Sequence, residues 1–343
     1  MYYCYCCNII LKKKKDTSKK ELKNGQYRSL EHVIPNFLGP KLNSYKLLCS
    51  NCNSDLGSSL DGALSEDLIF YRLIDFKTDR KGNKRKVTGE IEGEQIVLLI
   101  DKKRFGHFFK PQIIFDKEGK VDKVAAVDEK QAYSVLRAYG KDNPDFDIEA
   151  FIKKSKFEWF KVDKGYRIDF SNHTISKEET LRGIAKIALN YYLSLKYDKE
   201  YVQEMIDYVC ANIRPREFTR MYYPLVPIVL PNENEVSNTL YLKGDVKRNL
   251  LYCYVDLFNI TKFLVMMNNR YDGTDFENCY SWDVLGGTEQ KKNLEFTLLF
   301  HPFRTKVNKD HIQEQFKYSF DRFLRIVEKV GSPKKESPAS STT

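Results

Sequence analysis

Short runs of alternating apolar and polar residues mark two predicted β-hairpins in the first half of the chain. Residues 86–100 alternate on both sides of Glu92–Gly93, and residues 110–124 repeat the pattern around Glu118–Gly119. Residues 221–300 return to strand-like patterns, and we predict strands in the segments PLVPIVL, NLLYCYVDLF, TKFLVMM and EFTLLF.

Apolar residues at helical spacing predict helices between and after these strands. The predicted helices cover 128–140, 176–196, about 198–213 and about 308–329. In the second of them, Ser176 and Glu179 form a capping-box pattern. Its apolar stripe indicates a core-facing side, formed by Leu181, Ile184, Ala185, Ala188, Tyr192 and Leu195.

These elements predict an α+β protein with several parts. We expect an N-terminal module over 1–76, a basic linker and β-hairpin connector over 77–127, a larger mixed α+β C-terminal domain over 128–330, and a disordered Ser/Pro-rich tail over 331–343.

Composition narrows the class of protein. The 343 residues are 42% hydrophobic and 30% charged, as in soluble globular proteins. They contain no run of about 18 apolar residues, so we expect no membrane partner. The first lysine run follows the short apolar start, the reverse of a signal peptide, and we therefore expect a cytoplasmic location.

The net charge of +10 is concentrated in two stretches. Residues 12–28 carry eight Lys/Arg against two acidic residues, and residues 77–86 carry six against one. Such runs are often solvated loops, but both flank the N-terminal module, which favours a surface that faces phosphates. The predicted nucleic-acid contacts are Lys12, Lys13, Lys14, Lys15, Arg80, Lys81, Lys84, Arg85 and Lys86.

Five of the eight cysteines fall within the first 52 residues. Two C-x-x-C pairs stand 41 residues apart: Cys4 with Cys7, and Cys49 with Cys52. Four thiolates can close a tetrahedral structural Zn²⁺ site, with Cys6 as a competing ligand and free thiols or a redox pair as the alternative. We expect the three scattered cysteines to be small buried side chains: Cys210, Cys253 and Cys279.

The stretch between the two cysteine pairs includes SLEHVIPNFLGP, residues 29–40. The combination of C-x-x-C, EHVIPNFLG and LLCSNCNSDLG resembles the HNH nuclease family in its zinc-stapled ββα-metal form. The resemblance extends through GSSLDGAL and covers about residues 4–64.

The resemblance implies specific roles. His32 matches the general base, and its ordinary pKa near 6.5 suits that role. Glu31 and Asn53 match positions that bind one divalent cation, and their hard oxygen ligands suit Mg²⁺ or Mn²⁺. Zn²⁺ on the four cysteines would be scaffold. The other histidines have no such surroundings, and we expect core or surface roles for His107, His173, His301 and His311.

Two positions depart from the family pattern. The middle Asn, which orients the histidine, falls on Ser44 with Asn43 adjacent, so either could serve or the role could be lost. One helical turn after Asn53 stands Gly57, which offers no ligand, and Asp55 or Asp61 is the alternative.

The expected function is metal-dependent cleavage of DNA, with RNA as an alternative substrate. Defence against foreign DNA is a role associated with such architectures in bacteria. The C-terminal domain would select the substrate, form a homo-oligomer, or receive a small-molecule or protein regulator. Two alternatives are a non-catalytic zinc-ribbon protein that binds nucleic acid, and a ligand-gated nuclease effector.

Overall fold

A computed structural model of the chain describes residues 2–68, 86–91, 94–101, 104–109, 111–126, 129–155, 177–211, 217–298 and 308–331. The strands in these ranges are β1 Glu31–His32, β2 Asn43–Ser44, β3 Lys86–Ile91, β4 Glu94–Asp101, β5 Arg104–Phe109, β6 Gln112–Phe115, β7 Val121–Ala125, β8 Thr219–Met221, β9 Ser237–Asp245, β10 Leu250–Leu257, β11 Thr261–Asn268, β12 Phe276–Asp283 and β13 Thr288–Gln290. The α-helices are α1 Lys19–Lys23, α2 Ser50–Leu56, α3 Gly62–Asp67, α4 Glu129–Asp142, α5 Ile148–Lys154, α6 Glu178–Ser194, α7 Gln203–Ala211 and α8 Lys309–Gly331.

The chain forms two compact units. The first combines residues 1–75 with 173–330, and the second combines 76–172 with 331–343. The helices and antiparallel sheets of the described residues confirm the predicted α+β class. Within the second unit, α4 contacts β6 and β7, and the domain boundaries at 76/77 and 127/128 stay predictions.

The second unit contains the predicted hairpins. Strands β3, β4 and β5 form an antiparallel sheet, and β6 pairs with β7. The second hairpin turns at Glu118–Gly119 as predicted: Gly119 has φ +79°, and the Asp116 carboxylate accepts from the Lys120 N–H at 2.8 Å. The turn predicted at 92–93 lies outside the described residues. Strand β5 was not predicted, and α4 continues past Gly140, its predicted end.

In the described part of the first unit, six strands form an antiparallel sheet in the order β13-β12-β9-β10-β11-β8. Strand β10 is buried along its whole length, as expected for a central strand covered on both faces. The predictions for NLLYCYVDLF and TKFLVMM are confirmed as β10 and β11.

Two predicted strands of this unit are wrong. The segment PLVPIVL forms bends and irregular backbone, and Leu225 is 89% exposed. Its two prolines lack the N–H groups that a central strand needs. The described part of EFTLLF, residues 295–298, has no strand because side chains satisfy its backbone: the hydroxyl of Tyr252 donates to Phe296 O and accepts from Leu298 N–H.

Helix α6 is the element that connects the sheet to the N-terminal module. It contacts β8, β9, β10 and β11, and it also contacts α3 and the turn that precedes α3. The predicted apolar stripe is buried at Ile184 and Tyr192, but Leu195 is 38% exposed and lies beyond the helix end. The N-cap residue of α6 is Lys177, whose side chain makes no capping hydrogen bond. The predicted capping box, which placed Ser176 at the N-cap, is therefore wrong about where the helix begins. Ser176 itself lies outside the described residues.

The helix predicted over 198–213 divides into a 3₁₀ turn, Lys199–Val202, and α7. Helix α8 confirms the last predicted helix. None of the helices in the described ranges combines the length and the apolar character that crossing a membrane requires. The tail was predicted over 331–343; Gly331 is the last residue of α8, and residues 332–343 lie outside the described residues.

Candidate functional site

The four cysteines of the two C-x-x-C pairs converge. The Sγ atoms of Cys4, Cys7, Cys49 and Cys52 all lie within 4.8 Å of one another. Cys7 Sγ and Cys49 Sγ are 3.7 Å apart, close to the ~3.8 Å separation that four tetrahedral Zn–S bonds of about 2.3 Å require. A hydrogen bond between Cys4 and Cys49 lowers the pKa of the Cys4 thiol to about 5 and raises the pKa of Cys49, while burial raises the pKa of Cys52 to about 12. The donor set therefore fits Zn²⁺.

Local backbone structure positions these thiols. The first pair lies in a tight turn in which Asn8 N–H donates to Cys4 O at 2.8 Å and Asn8 adopts a left-handed φ of 56°. In the second pair, Cys49 is the N-cap of α2, and its sulfur accepts from Cys52 N–H. The sequence CSNC thus begins a helix on a metal-ligand sulfur.

Cys6 does not compete for the metal. It forms a disulfide with Cys210 of α7, so the expectation that Cys210 is a lone buried thiol is wrong. The same expectation holds for Cys253, which is fully buried. Disulfides are rare in cytosolic proteins. The Cys6–Cys210 disulfide is therefore unexpected for the predicted cytoplasmic location, which stays a prediction.

Strand β1 carries the candidate base. It pairs with β2 so that His32 lies opposite Asn43 and Glu31 opposite Ser44. Asn43 is exposed, and its side-chain amide donates to Lys41 O, two residues away. Asn43 is thus the residue across the strand pair from His32, although the structure shows its amide bonded to its own turn.

Asn53 holds the start of β1. Its Nδ2 donates to Ser29 Oγ at 2.9 Å and to Leu30 O at 3.0 Å. These bonds connect α2 to the backbone two residues before His32. Asn53 is therefore placed to fix the position of the histidine; its role as a cation ligand stays a prediction.

A π-helical turn brings Asp61 to the site. Helix α2 ends at Leu56, the π turn covers Gly57–Asp61, and α3 follows at once. Such turns are rare and occur frequently at functional sites. Burial raises the pKa of the Asp61 carboxyl group, and the charges of Lys186 and, to a lesser extent, His32 oppose that rise. Asp55, the alternative, is exposed and bonds to Asn51 on its own helix.

Glu31 lies in a buried network that reaches outside the N-terminal module. Its side chain is 2% exposed, and Oε1 lies 2.8 Å from Lys186 Nζ. The same oxygen accepts from Asn190 Nδ2 at 2.8 Å. Lys186 also contacts both oxygens of Asp61, at 3.0 and 2.9 Å. The network ends at Tyr5, whose hydroxyl donates to Asn190 Oδ1.

Burial and charge act together on this network. Burial raises the pKa of both carboxyl groups, and Lys186 opposes that rise. Burial pulls the pKa of Lys186 down, but the charges of Glu31 and Asp61 outweigh it and raise that pKa, so the amine is protonated. One ammonium therefore serves two carboxyl groups.

The Glu31–Asn53 pair does not show the arrangement of a cation site. Among the described residues, the four cysteines are the group of His, Cys, Asp and Glu that could hold a metal ion. The Glu31 carboxylate contacts an ammonium, and the Asn53 amide nitrogen faces Ser29 and Leu30. A catalytic Mg²⁺ or Mn²⁺ on this pair stays a prediction.

The segment after His32 anchors the strand to the sheet. Val33 and Ile34 are fully buried, and Asn238 of β9 donates to Leu38 O at 2.8 Å. Gly39 has φ +99°, a conformation that L side chains rarely adopt, which explains the glycine here.

Five of the nine predicted nucleic-acid contacts lie within the described residues. Lys13, Lys14 and Lys15 are exposed, and Lys14 Nζ lies 5.4 Å from the centre of the Tyr27 ring. Lys12 is ion-paired with Glu21 at 2.7 Å and is less available to a phosphate. Lys86 is the first residue of β3. The other four lie outside the described residues: Arg80, Lys81, Lys84 and Arg85.

The region that holds this geometry was compared with known protein families. Residues 4–69 match the HNH endonuclease family model. This confirms the family resemblance at the N-terminus. The match covers the two cysteine pairs, His32, Asn53 and the π turn, and it ends before α6. No curated protein and no solved structure matches the chain.

Sequence reasoning missed the two residues that α6 adds to this HNH segment. Lys186 and Asn190 are four apart, on one helix face, together with Gly183. No role was predicted for this face, because the predicted apolar stripe lies elsewhere. A usable signal was the near absence of charge there: over 183–192 the helix carries Lys186 as its one charged residue.

Proposed function

We propose that the chain is a metal-dependent HNH endonuclease that hydrolyses phosphodiester bonds in DNA, with His32 as the general base. The observation that carries the proposal is the HNH match across residues 4–69, within which His32 lies on β1 and its charge acts on the carboxyl group of Asp61. The four thiols, compatible with structural zinc, support the same family. A role in defence against foreign DNA stays an association by family.

The described residues support a separate role in catalysis for each of three side chains. His32 would accept the proton of the water that attacks phosphorus, while the bond to the leaving oxygen breaks. Asp61 would stabilise the resulting imidazolium, as a carboxylate does beside a catalytic histidine. Asn53 fixes the backbone at Leu30 so that β1 presents the imidazole. A divalent cation would supply neutralisation of charge on the phosphate and the leaving group.

Plasmid cleavage tests the proposal. Zinc-loaded wild type should nick supercoiled DNA with Mg²⁺ or Mn²⁺, and His32→Ala should lower the rate by ~10²–10⁴-fold. His311→Gln is the matched control, because His311 lies on α8 and contacts Tyr223 O. Equal rates for wild type and His32→Ala, at equal zinc content, would remove His32 from the mechanism.

One observation favours a second candidate. The predicted cation ligand Glu31 is engaged by Lys186, which fits a non-catalytic zinc-ribbon protein that binds nucleic acid. Tight DNA binding without cleavage in any divalent metal would support that function. Cleavage that begins only after a nucleotide is added would instead support the ligand-gated effector.

A further inference from the structure

Lys186, which lies outside the HNH segment, places its positive charge between two carboxyl groups of that segment. Its side chain is 1% exposed, and its ammonium lies 2.8 Å from Glu31 Oε1 and 2.9 Å from Asp61 Oδ2. Glu31 comes from β1 and Asp61 from the π turn, so the ammonium joins the two parts of the segment that surround His32.

Neighbouring residues of α6 hold the Lys186 ammonium at this position. Gly183, one turn earlier on α6, allows the helix to approach the π turn: an added Cβ would lie 3.2 Å from Leu60 O. Asn190, one turn later, holds the same Glu31 oxygen that Lys186 contacts. Three residues of one helix face thus fix the distance between α6 and the carboxylates.

The contacts of this ammonium resemble those of a bound metal ion. A divalent cation at an HNH site is held by oxygen ligands, and Glu31 is one of its predicted ligands. In the structure the ammonium contacts Glu31 and, through both oxygens, Asp61. Two positive charges a few ångströms apart repel strongly at low dielectric, so the ammonium and a divalent ion would compete for this pair.

We propose that Lys186 is a tethered cation of the nuclease site, supplied from outside the HNH segment, and that it weakens the binding of divalent cations to Glu31 and Asp61. The inference rests on the proposed function, because the site that Lys186 contacts is the proposed nuclease site. It gives the C-terminal part of the first unit a direct role, since the position of α6 would set the affinity of the site for metal.

Binding of Mn²⁺ to the full, zinc-loaded chain tests the inference, with free Mn²⁺ measured by electron paramagnetic resonance. Lys186→Met should tighten Mn²⁺ binding at least about tenfold, because two carboxylates then lack their cation. Lys186→Arg keeps the charge and should stay within about threefold of wild type. Lys177→Met is the matched control, since Lys177 makes an ion pair with buried Asp67 where α6 meets α3.

Lys186→Met buries two unpaired carboxylates and could fail to fold, so a second comparison is needed. Glu31→Gln keeps an acceptor for Asn190, and the double variant Glu31→Gln with Lys186→Met leaves one carboxylate, Asp61, without its partner. The double variant should bind Mn²⁺ at least about tenfold more tightly than Glu31→Gln alone. Equal affinities within either pair of proteins would overturn the inference.

The readouts separate this inference from the proposed function. If no protein of the set cleaves DNA but the Mn²⁺ affinities change as expected, the proposed function fails and the tethered cation stands. If wild type cleaves DNA and the affinities do not respond to position 186, the nuclease stands and the tethered cation fails.

Discussion

The hydroxyl of Tyr5 donates a hydrogen bond to Oδ1 of Asn190 across 2.9 Å. Tyr5 lies between two cysteines of the N-terminal turn, and Asn190 holds Glu31 with its amide nitrogen. Two hydrogen bonds through Asn190 therefore connect the turn of the first cysteine pair to the buried carboxyl group of Glu31, next to His32. The first of these bonds spans 185 positions of the sequence.

Tyr5→Phe should destabilise the chain without removing zinc. Asn190 is fully buried, and loss of the hydroxyl leaves its oxygen without that donor, which costs about 1–3 kcal/mol of unfolding free energy. Urea denaturation measures the change, and zinc content is determined on the same samples. Tyr318→Phe is the control, because Tyr318 is 64% exposed and its variant should change stability by less than about 0.5 kcal/mol. Equal midpoints for the two variants would contradict a structural role for the bond.

The two alternative carboxylates after Asn53 predict different phenotypes. Asp61→Asn should lower the cleavage rate by at least about tenfold, since the residue would no longer stabilise a protonated His32. Asp55→Asn should stay within about twofold, because Asp55 is exposed and bonds to Asn51. Both rates are measured at saturating Mn²⁺, so that a change in metal affinity does not affect them. A larger loss for Asp55→Asn would mean that the π turn does not define the site.

The cysteine cluster and the HNH segment could be predicted from the sequence because their signals are local. Cys4 and Cys7 stand three apart, Cys49 and Cys52 repeat the spacing, and the segment around His32 is specific in combination. Motifs of this kind depend little on distant structure. The family match and the convergence of the four thiols bear out these two predictions, while the role of His32 as base stays a prediction.

Lys186 and Asn190 could not be predicted in the same way. Helical periodicity assigns one face to the core and the other to solvent, but α6 is buried on both because it contacts the sheet and the HNH segment. Strand β9 was missed for a similar reason: its residues Ser237, Asn238 and Thr239 are polar but fully buried, so the strand lacks a regular apolar pattern. Asn238 donates to Leu38 O, 200 positions away, while Ser237 and Thr239 bond to residues 22 and 42 positions away.

Loss of one thiol of the cysteine cluster should remove zinc without removing the N-cap of α2. Cys49→Ser takes away a candidate metal-ligand sulfur, whereas the serine hydroxyl can still accept a hydrogen bond at the start of that helix. We expect zinc content to fall from about one ion per chain to near zero, with a lower midpoint of thermal unfolding, because metal binding contributes folding free energy. Elemental analysis and calorimetry measure the two quantities.

Cys279→Ser is the matched control for this change. Cys279 lies on β12, outside the cluster, and its side chain is partly buried. The variant should keep its zinc and unfold within a few degrees of wild type. Retention of a full zinc equivalent by Cys49→Ser would show that Cys49 is not a ligand.

Reversal of exposed charges near the N-terminus should weaken DNA binding without changing which sequence is bound. Lys13 and Lys15 are exposed, and contacts of this kind to phosphates carry no base information. The double variant Lys13→Glu with Lys15→Glu should reduce the slope of log K against log salt by about 0.9 for each lost phosphate contact. The matched control reverses Lys309 and Lys317, which are exposed on α8. Fluorescence anisotropy on two unrelated duplexes, each at several salt concentrations, measures both slopes. Because screening acts on both variants alike, an equal loss of slope in the control would show that net charge alone, and not this lysine run, holds the DNA.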